Sequence, residues 1–382
     1  MNILQVALAI EKWAAKQAPI TVQRERCLNT KRKGACSVCA LTCPTDAIRL
    51  EGGVQLQPEM CIQCGLCLHA CPTGVFSGDD EAYRLLYCVA QLVDHESVEL
   101  ACKFHPSAAQ GSQRVDAVLT TTRCLSALNV PTYAALFGMG VHKVIVRLDA
   151  CANCTLAPLS GSIEQTVANA QRLVPDGKRS LVVEKDAAPR RTKTRPIYAI
   201  NNPPLSRRAV FQRFLGATPS ENVLTAFKDA AESEASPIPL ERRQMLEALR
   251  ALPHLRSDTQ LPEQSFTNLA VSSACTACGV CSRVCPTNAL RARQEAATFA
   301  LEFTAAHCIN CGNCIDLCHE QAVSRAGTPT LDEVRQEQVT TLYTGTLRHC
   351  PKCRAPYTGD GEFCPICTYR SQNLFGDKLR RG

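Results

Sequence analysis

Between residues 85 and 186 the chain alternates short apolar runs rich in β-branched residues with longer stretches of helical period. The runs are VELAC (98–102), VDAVLTT (115–121), KVIVRLDAC (143–151) and SLVVE (180–184). CLSALNVPTYAALFGMG (124–140) and SIEQTVANAQRLV (162–174) lie between them and read as helices. Strand and helix in alternation predict a small parallel α/β sheet. Elsewhere the periodic segments are shorter. AIRLEGGVQLQ (47–57) reads as two strands joined at Gly52–Gly53, and LRARQ (290–294) with TFALEF (298–303) as a second hairpin. Residues 221–252 read as two amphipathic helices. No stretch reaches the roughly 18 apolar residues of a membrane span. The opening MNILQVALAIEKWAAKQ, interrupted by Glu11 and Lys12, reads as neither signal peptide nor span. Peripheral membrane contact through an N-terminal helix stays open.

Cysteine changes the picture. It occupies 25 of 382 positions, a density that means a disulfide scaffold or a metal protein. Disulfide scaffolds are short and secreted, so the expectation is a reducing cytoplasm with thiols available to metals. The formal charge of +7 counts cysteine as neutral. A four-thiolate 4Fe-4S, 2Fe-2S or zinc site carries about −2 in all, so six filled sites at −2 each would take +7 to about −5. The surplus Lys and Arg then compensate buried anionic centres, and net charge gives no support to nucleic-acid binding.

Residues 61–72, CIQCGLCLHACP, follow C-x2-C-x2-C-x3-C-P with Cys61, Cys64, Cys67, Cys71 and Pro72. This is the bacterial 4Fe-4S spacing: three thiolates on one loop wrap a cube, and the fourth points away to a different cube. The partner motif lies upstream as Cys36, Cys39, Cys43 and Pro44. Its first expected cysteine is replaced by Lys33, and Cys27 stands in for it across a basic loop that carries Lys31, Arg32 and Lys33. The expected sets are Cys27, Cys36, Cys39 and Cys71 for one cube, and Cys61, Cys64, Cys67 and Cys43 for the other. Both motifs recur near the other end. Cys275, Cys278, Cys281, Cys285 and Pro286 form the first; Cys308, Cys311, Cys314 and Cys318 form the second, with His319 in place of proline. The same crossing predicts Cys275, Cys278, Cys281 and Cys318 for a third cube, and Cys308, Cys311, Cys314 and Cys285 for a fourth. Residues 27–75 and 275–323 each resemble the bacterial dicluster ferredoxin. Four zinc sites are the competing reading, but zinc loops lack the interlocked spacing and its proline.

In the middle region Cys102 and Cys151 end apolar runs, Cys124 opens a helix, and Cys154 completes a C-x2-C with Cys151. A parallel sheet gathers the carboxyl ends of its strands along one edge, so these four can converge. ACK, TTRCLSAL, FGMGVHKVIV and DACANC make the stretch similar to the delta-subunit family of methyl-viologen-reducing hydrogenases. That resemblance implies an α/β domain with a 2Fe-2S cluster between a hydrogenase and a flavoprotein. It also implies Cys102, Cys124, Cys151 and Cys154 as ligands, with Cys88 as spare. Buried structural thiols are the alternative. The adjacent-cysteine signature of the heterodisulfide-cleaving subunit is absent.

Residues 187–220 hold no acid and seven basic residues, among them Arg195, with prolines that argue for an extended linker. This strip is read as a docking surface for an acidic partner or as a solvated linker. Cys350, Cys353, Cys364 and Cys367 form CPKC and CPIC knuckles ten residues apart, a tetrahedral zinc ribbon with rubredoxin-like iron as runner-up. No Walker sequence or dinucleotide fingerprint occurs.

The expected architecture is α+β multidomain: two ferredoxin-like dicluster modules flanking a small parallel α/β domain, then a C-terminal zinc ribbon. The boundaries are 1–80, 81–186, 187–262, 263–330 and 331–382. The expected function is an electron-transfer subunit with four 4Fe-4S clusters, a central 2Fe-2S cluster and Zn. It would serve a flavoprotein, hydrogenase or dehydrogenase in a cytoplasmic redox complex. A catalytic iron–sulfur enzyme using the central cysteines, and a redox sensor or assembly protein, are the alternatives.

Overall fold

The computed structural model describes residues 19–30, 36–92, 95–173, 179–186, 195–204, 219–233, 236–252 and 265–372, with Leu255, Thr259, Leu261 and Pro262 between. The N-terminal helix, the Lys31–Arg32–Lys33 loop and most of the basic strip lie outside these residues. The chain forms two compact units, residues 1–256 and 257–382.

In the first unit, β1 (Thr21–Val22), α1 (Val38–Thr42), β2 (Ile48–Arg49), β3 (Gln55–Leu56), α2 (Leu66–Ala70) and β4 (Phe76–Ser77) follow in order. β2 pairs antiparallel with β3, as the Gly52–Gly53 turn predicts, and β1 closes against β4. Ile20, Ile48, Val54, Val75 and Phe76 pack with Cys27, Cys39 and Cys71 in one buried cluster. The strands here are two residues long, too short to stand on hydrogen bonding alone, so this shared cluster of apolar side chains and cysteines is what packs them together.

α3 (Glu81–Ala90) leads into the sheet: β5 (Ser97–Cys102), β6 (Ala117–Thr121), α4 (Val130–Gly138), β7 (Lys143–Arg147), α5 (Ser160–Gln171), β8 (Ser180–Glu184) and β9 (Ile197–Ala199). All five strands are parallel, in the order β8-β7-β5-β6-β9. Four of them are the apolar runs of the sequence. The fifth comes from the stretch read as linker, where the prolines mask a β-forming IYA. The Pro196 carbonyl accepts from Val118 N at 2.8 Å and starts the pairing. Arg195 likewise leaves the basic strip: its guanidinium is buried against Glu99. The amphipathic pair, α6 (Pro219–Glu232) and α7 (Leu240–Arg250), packs on α3 and α4. Asn129, which caps α4, donates to Gln244 of α7 at 3.1 Å.

The second unit repeats the module plan with β10 (Leu269–Val271), α8 (Val280–Val284), β11 (Leu290–Glu295), β12 (Thr298–Thr304), α9 (Asn313–Asp316) and β13 (Val323–Arg325). β10 pairs with β13 as β1 does with β4, and β11–β12 is the expected hairpin. After α10 (Leu331–Arg335), β14 (Val339–Thr346) adds a third antiparallel strand to that hairpin, with a bulge at Leu301/Glu302. The tail ends in the β15 (Arg348–His349) and β16 (Pro356–Tyr357) hairpin and α11 (Pro365–Gln372). Thr358 Oγ1 donates to the Cys275 carbonyl at 2.7 Å, so the tail is fixed to the first cysteine loop of this module.

Candidate metal centres

The cysteine loops share one backbone form. In three of the four motifs the residue before the second cysteine has positive φ: Gln63 at 55°, Ala277 at 57° and Asn310 at 52°. The glycine after that cysteine is also left-handed: Gly65 at 86°, Gly279 at 65° and Gly312 at 76°. This arrangement turns successive N–H groups toward the concave side of the loop, as in an anion-binding nest. The first motif departs from it: Ser37, with φ of −130°, follows its second cysteine, Cys36, where the others have a left-handed glycine, and it is the motif whose first cysteine is displaced to Cys27. All four motifs agree again three residues past the fourth cysteine. Asp46, Gly74, Asn288 and Gln321 have φ of 51°, 64°, 55° and 49°.

These loops bring the sulfurs together. Burial, then the charges of Cys71, Cys36 and Cys27, push the Cys39 thiol up to about 12. Burial, then charge at Cys64, Cys61 and Cys43, raises Cys67. Cys43, Cys61, Cys64 and Cys67 line one small cavity. In the second unit, burial and the charges of Cys278, Cys275 and Cys318 raise Cys281 to about 11. Cys285, Cys308, Cys311 and Cys314 line another cavity. Each group of four thus contains one cysteine from the sister motif. Four soft thiolates around a shared void suit an iron–sulfur cube, and the loops donate to the sulfurs. Val75 N reaches Cys71 Sγ at 3.5 Å, Ala322 N reaches Cys318 Sγ at 3.3 Å, and Asn310 N reaches Cys308 Sγ at 3.4 Å. Thr45, Thr73 and Thr287 place a hydroxyl 3.6–3.8 Å from Cys43, Cys71 and Cys285.

The central cysteines also gather. Burial, then Cys102, Cys124 and Cys154, push Cys151 up to about 11. Cys102 ends β5, Cys124 follows β6, and Cys151 and Cys154 follow β7. β5 and β7 are neighbours although two strands apart in the chain. The site therefore lies at the switch point of the sheet, outside its carboxyl edge, where open α/β sheets hold their ligands. Cys88, the spare, is fully buried on α3, and burial alone raises it to about 12, with no other cysteine's charge contributing.

Two supports of this site left no motif in the sequence. Glu81 of α3 is buried and accepts from Thr122 N at 2.6 Å and Arg123 N at 2.8 Å, holding the turn just before Cys124. Three residues before Cys102 on β5, fully buried Glu99 joins Arg147 and Arg195. Arg147 continues to Asp149, which His105 also contacts at 3.0 Å. Burial would raise the Asp149 carboxyl, but Arg147 and His105 hold it below the usual range. A charged residue in mid-strand reads as a solvent-facing position, so Glu99 and Arg147 carry a signal only when each is seen as the other's partner.

In the tail, the sulfurs of Cys350, Cys353, Cys364 and Cys367 all lie within 4.8 Å of one another. Burial works against the Cys350 thiolate, and the N–H groups of Cys364, Cys353 and Lys352 outweigh it, lowering the thiol to about 6.

Residues 34–75 and 274–322 match the 4Fe-4S dicluster domain family. One uncharacterized ferredoxin of Methanocaldococcus jannaschii is 42% identical over 55 residues, 14% of this chain and 33% of the relative. Formate hydrogenlyase subunit 2 of Escherichia coli is 51% identical over 43 residues, 10% of this chain and 21% of the relative. The chain thus spans a third or less of these two. Another uncharacterized M. jannaschii ferredoxin is 38% identical over 52 residues, 13% of this chain but 84% of the relative. Among the described residues no helix is long and apolar enough to cross a membrane. Through its two cysteine modules, the chain belongs to the 4Fe-4S dicluster ferredoxin family.

Proposed function

We propose that this chain is a multi-centre electron-transfer subunit of a larger redox complex. The observation that carries the reading is the crossing: every group of four module cysteines includes one from the sister motif, so two one-electron centres are held side by side by shared loops. Cys27, Cys36, Cys39 and Cys71 hold one cube, and Cys43, Cys61, Cys64 and Cys67 the next. Cys275, Cys278, Cys281 and Cys318 hold the third, and Cys285, Cys308, Cys311 and Cys314 the fourth. Cys102, Cys124, Cys151 and Cys154 hold a 2Fe-2S centre in an α/β domain like that of the hydrogenase delta subunit. Its switch-point position supports this assignment. Cys350, Cys353, Cys364 and Cys367 hold zinc in a closed four-thiolate site whose work is structural. The bound clusters supply reversible one-electron exchange; the protein supplies thiolates, N–H donors and exclusion of water. The partner that gives or takes these electrons is a flavoprotein, hydrogenase or dehydrogenase subunit. Likeness to a subunit named for formate hydrogenlyase supports such a setting.

Anaerobic iron and acid-labile sulfide analysis tests the reading, together with reduction by dithionite and reoxidation by an artificial acceptor. Four cubes and a binuclear centre require about eighteen irons per chain. A value near eight would refute it.

A further inference from the structure

The loop that carries Cys61, Cys64 and Cys67 does more than serve its own module. It docks on the turn that carries Cys124. Arg123, 1% exposed, donates from Nη1 to both the carbonyl and Oε1 of Gln63 at 3.0 Å. Gln63 in turn donates from Nε2 to Cys61 Sγ at 3.5 Å. Ser126 Oγ donates to the Cys64 carbonyl at 3.4 Å, and His69 Nε2 donates to the Ser126 carbonyl at 2.6 Å. Left-handed Gly65 sits so close that a Cβ there would come 2.7 Å from Ala127 Cβ. Cys124 is an electrostatic neighbour of Cys64 as well as of Cys102 and Cys151. One buried turn thus faces two groups of four cysteines.

We propose that Cys64 and Cys124 are facing ligands of two adjacent redox centres, and that Arg123 is the positioning residue that locks them together. Electrons of the α/β domain then pass through the Cys43/Cys61/Cys64/Cys67 site. The inference rests on the proposed reading of the central cysteines as a redox site. The exchange across the junction is of one electron: what one site loses the other gains, with no bond formed or broken and no proton moved. The junction combines close backbone approach at Gly65 with a buried guanidinium whose hydrogen bonds to Gln63 tie the turn before Cys124 to the loop of Cys61, Cys64 and Cys67. A buried guanidinium keeps its place only while such partners hold it, so these bonds fix the distance between the two loops.

The test is electron paramagnetic resonance on the full chain, loaded anaerobically and reduced with dithionite. A binuclear signal beside a reduced cube relaxes faster than an isolated one, so its microwave power saturation reports the neighbour. The expected result is enhanced relaxation of the binuclear signal in the parent chain. It should be lost in Cys67→Ser and kept in Cys281→Ser, which damages a cube of the other unit. Arg123→Met and Ala127→Val should each reduce the enhancement at unchanged iron content. Ala127→Val wedges the contact without removing a charge, so it serves if Arg123→Met misfolds. A binuclear signal that saturates alike in the parent and in Cys67→Ser overturns this inference alone. A chain without any binuclear signal overturns both it and the reading of the central cysteines.

Discussion

Glu241 stands in the first turn of α7 and lines a cavity of about 410 Å3 together with Cys71. Arg26, His69, Asp79, Asp80, Glu81 and Arg243 are the other titratable or charged groups around it. Most are already engaged. Asp79 pairs with Arg84, Asp80 accepts from Tyr83 N and Gln244, and Glu81 holds the Thr122–Arg123 turn. Among the described residues no side-chain hydrogen bond or ion pair reaches the Glu241 carboxyl. Burial pushes its carboxyl from 4.5 to about 7, and the nearby Arg242 charge offsets only part of that. Between those two values the folded chain binds more protons at this site than the unfolded chain. The contribution is therefore fully present below 4.5 and is lost as pH rises through 7. Each tenfold change in the protonation equilibrium is worth 1.36 kcal/mol, so ionised Glu241 costs at most about 3 kcal/mol at pH 8. The cavity admits solvent, which brings the expectation to about 1–3 kcal/mol. Glu241→Gln keeps the shape and removes the charge. Holo chain and variant should melt together near pH 4.5, and the variant should melt higher at pH 8, by about 2–4 °C per kcal/mol. Comparing the two proteins at each pH cancels the titrations they share. An equal difference at both pH values, or a variant that melts lower at pH 8, refutes the reasoning.

Crossed ligation predicts that Cys71→Ser damages the site of Cys27, Cys36 and Cys39 and spares that of Cys61, Cys64 and Cys67. Spectra of the variant losing the latter cube instead would reverse the assignment. Glu81→Ala strands the Thr122 and Arg123 N–H groups at about 1–3 kcal/mol each. The central binuclear signal should then be lost while the iron of the four cubes is retained, and loss of a module cube first would count against the clamp. The tail should hold one zinc per chain; Cys367→Ser should release it with iron unchanged, and a rubredoxin-like visible band in the parent chain would mean iron instead.

The modules were legible because their cysteine spacing is local: three cysteines on one loop, a glycine that must be left-handed, and a turn that ends the run are all written within twelve residues. The α/β sheet was legible for a similar reason, since buried parallel strands read as unbroken β-branched runs. What escaped was whatever depends on pairing across the sheet. Arg195 looked like one more cation in a basic linker, because its partner Glu99 lies nearly a hundred residues away. Ile197–Ala199 looked like linker because an edge strand of three residues is shorter than the prolines around it are loud. The same limit explains the central site. Its C-x2-C pair is a weak local signal, and what gathers its cysteines is topology: β7 crossing back beside β5 brings Cys151 and Cys154 to the end of the strand that carries Cys102. The turn after β6 completes the set, and Glu81 fixes that turn from a helix that precedes the whole sheet. Because Glu81 also directs the Arg123 N–H while the Arg123 side chain reaches Gln63, one carboxylate on α3 orders the chain on both sides of the Cys64–Cys124 junction. A substitution at Glu81 should therefore disturb the α/β site and its contact with the first module together, an outcome no single cysteine motif would foretell.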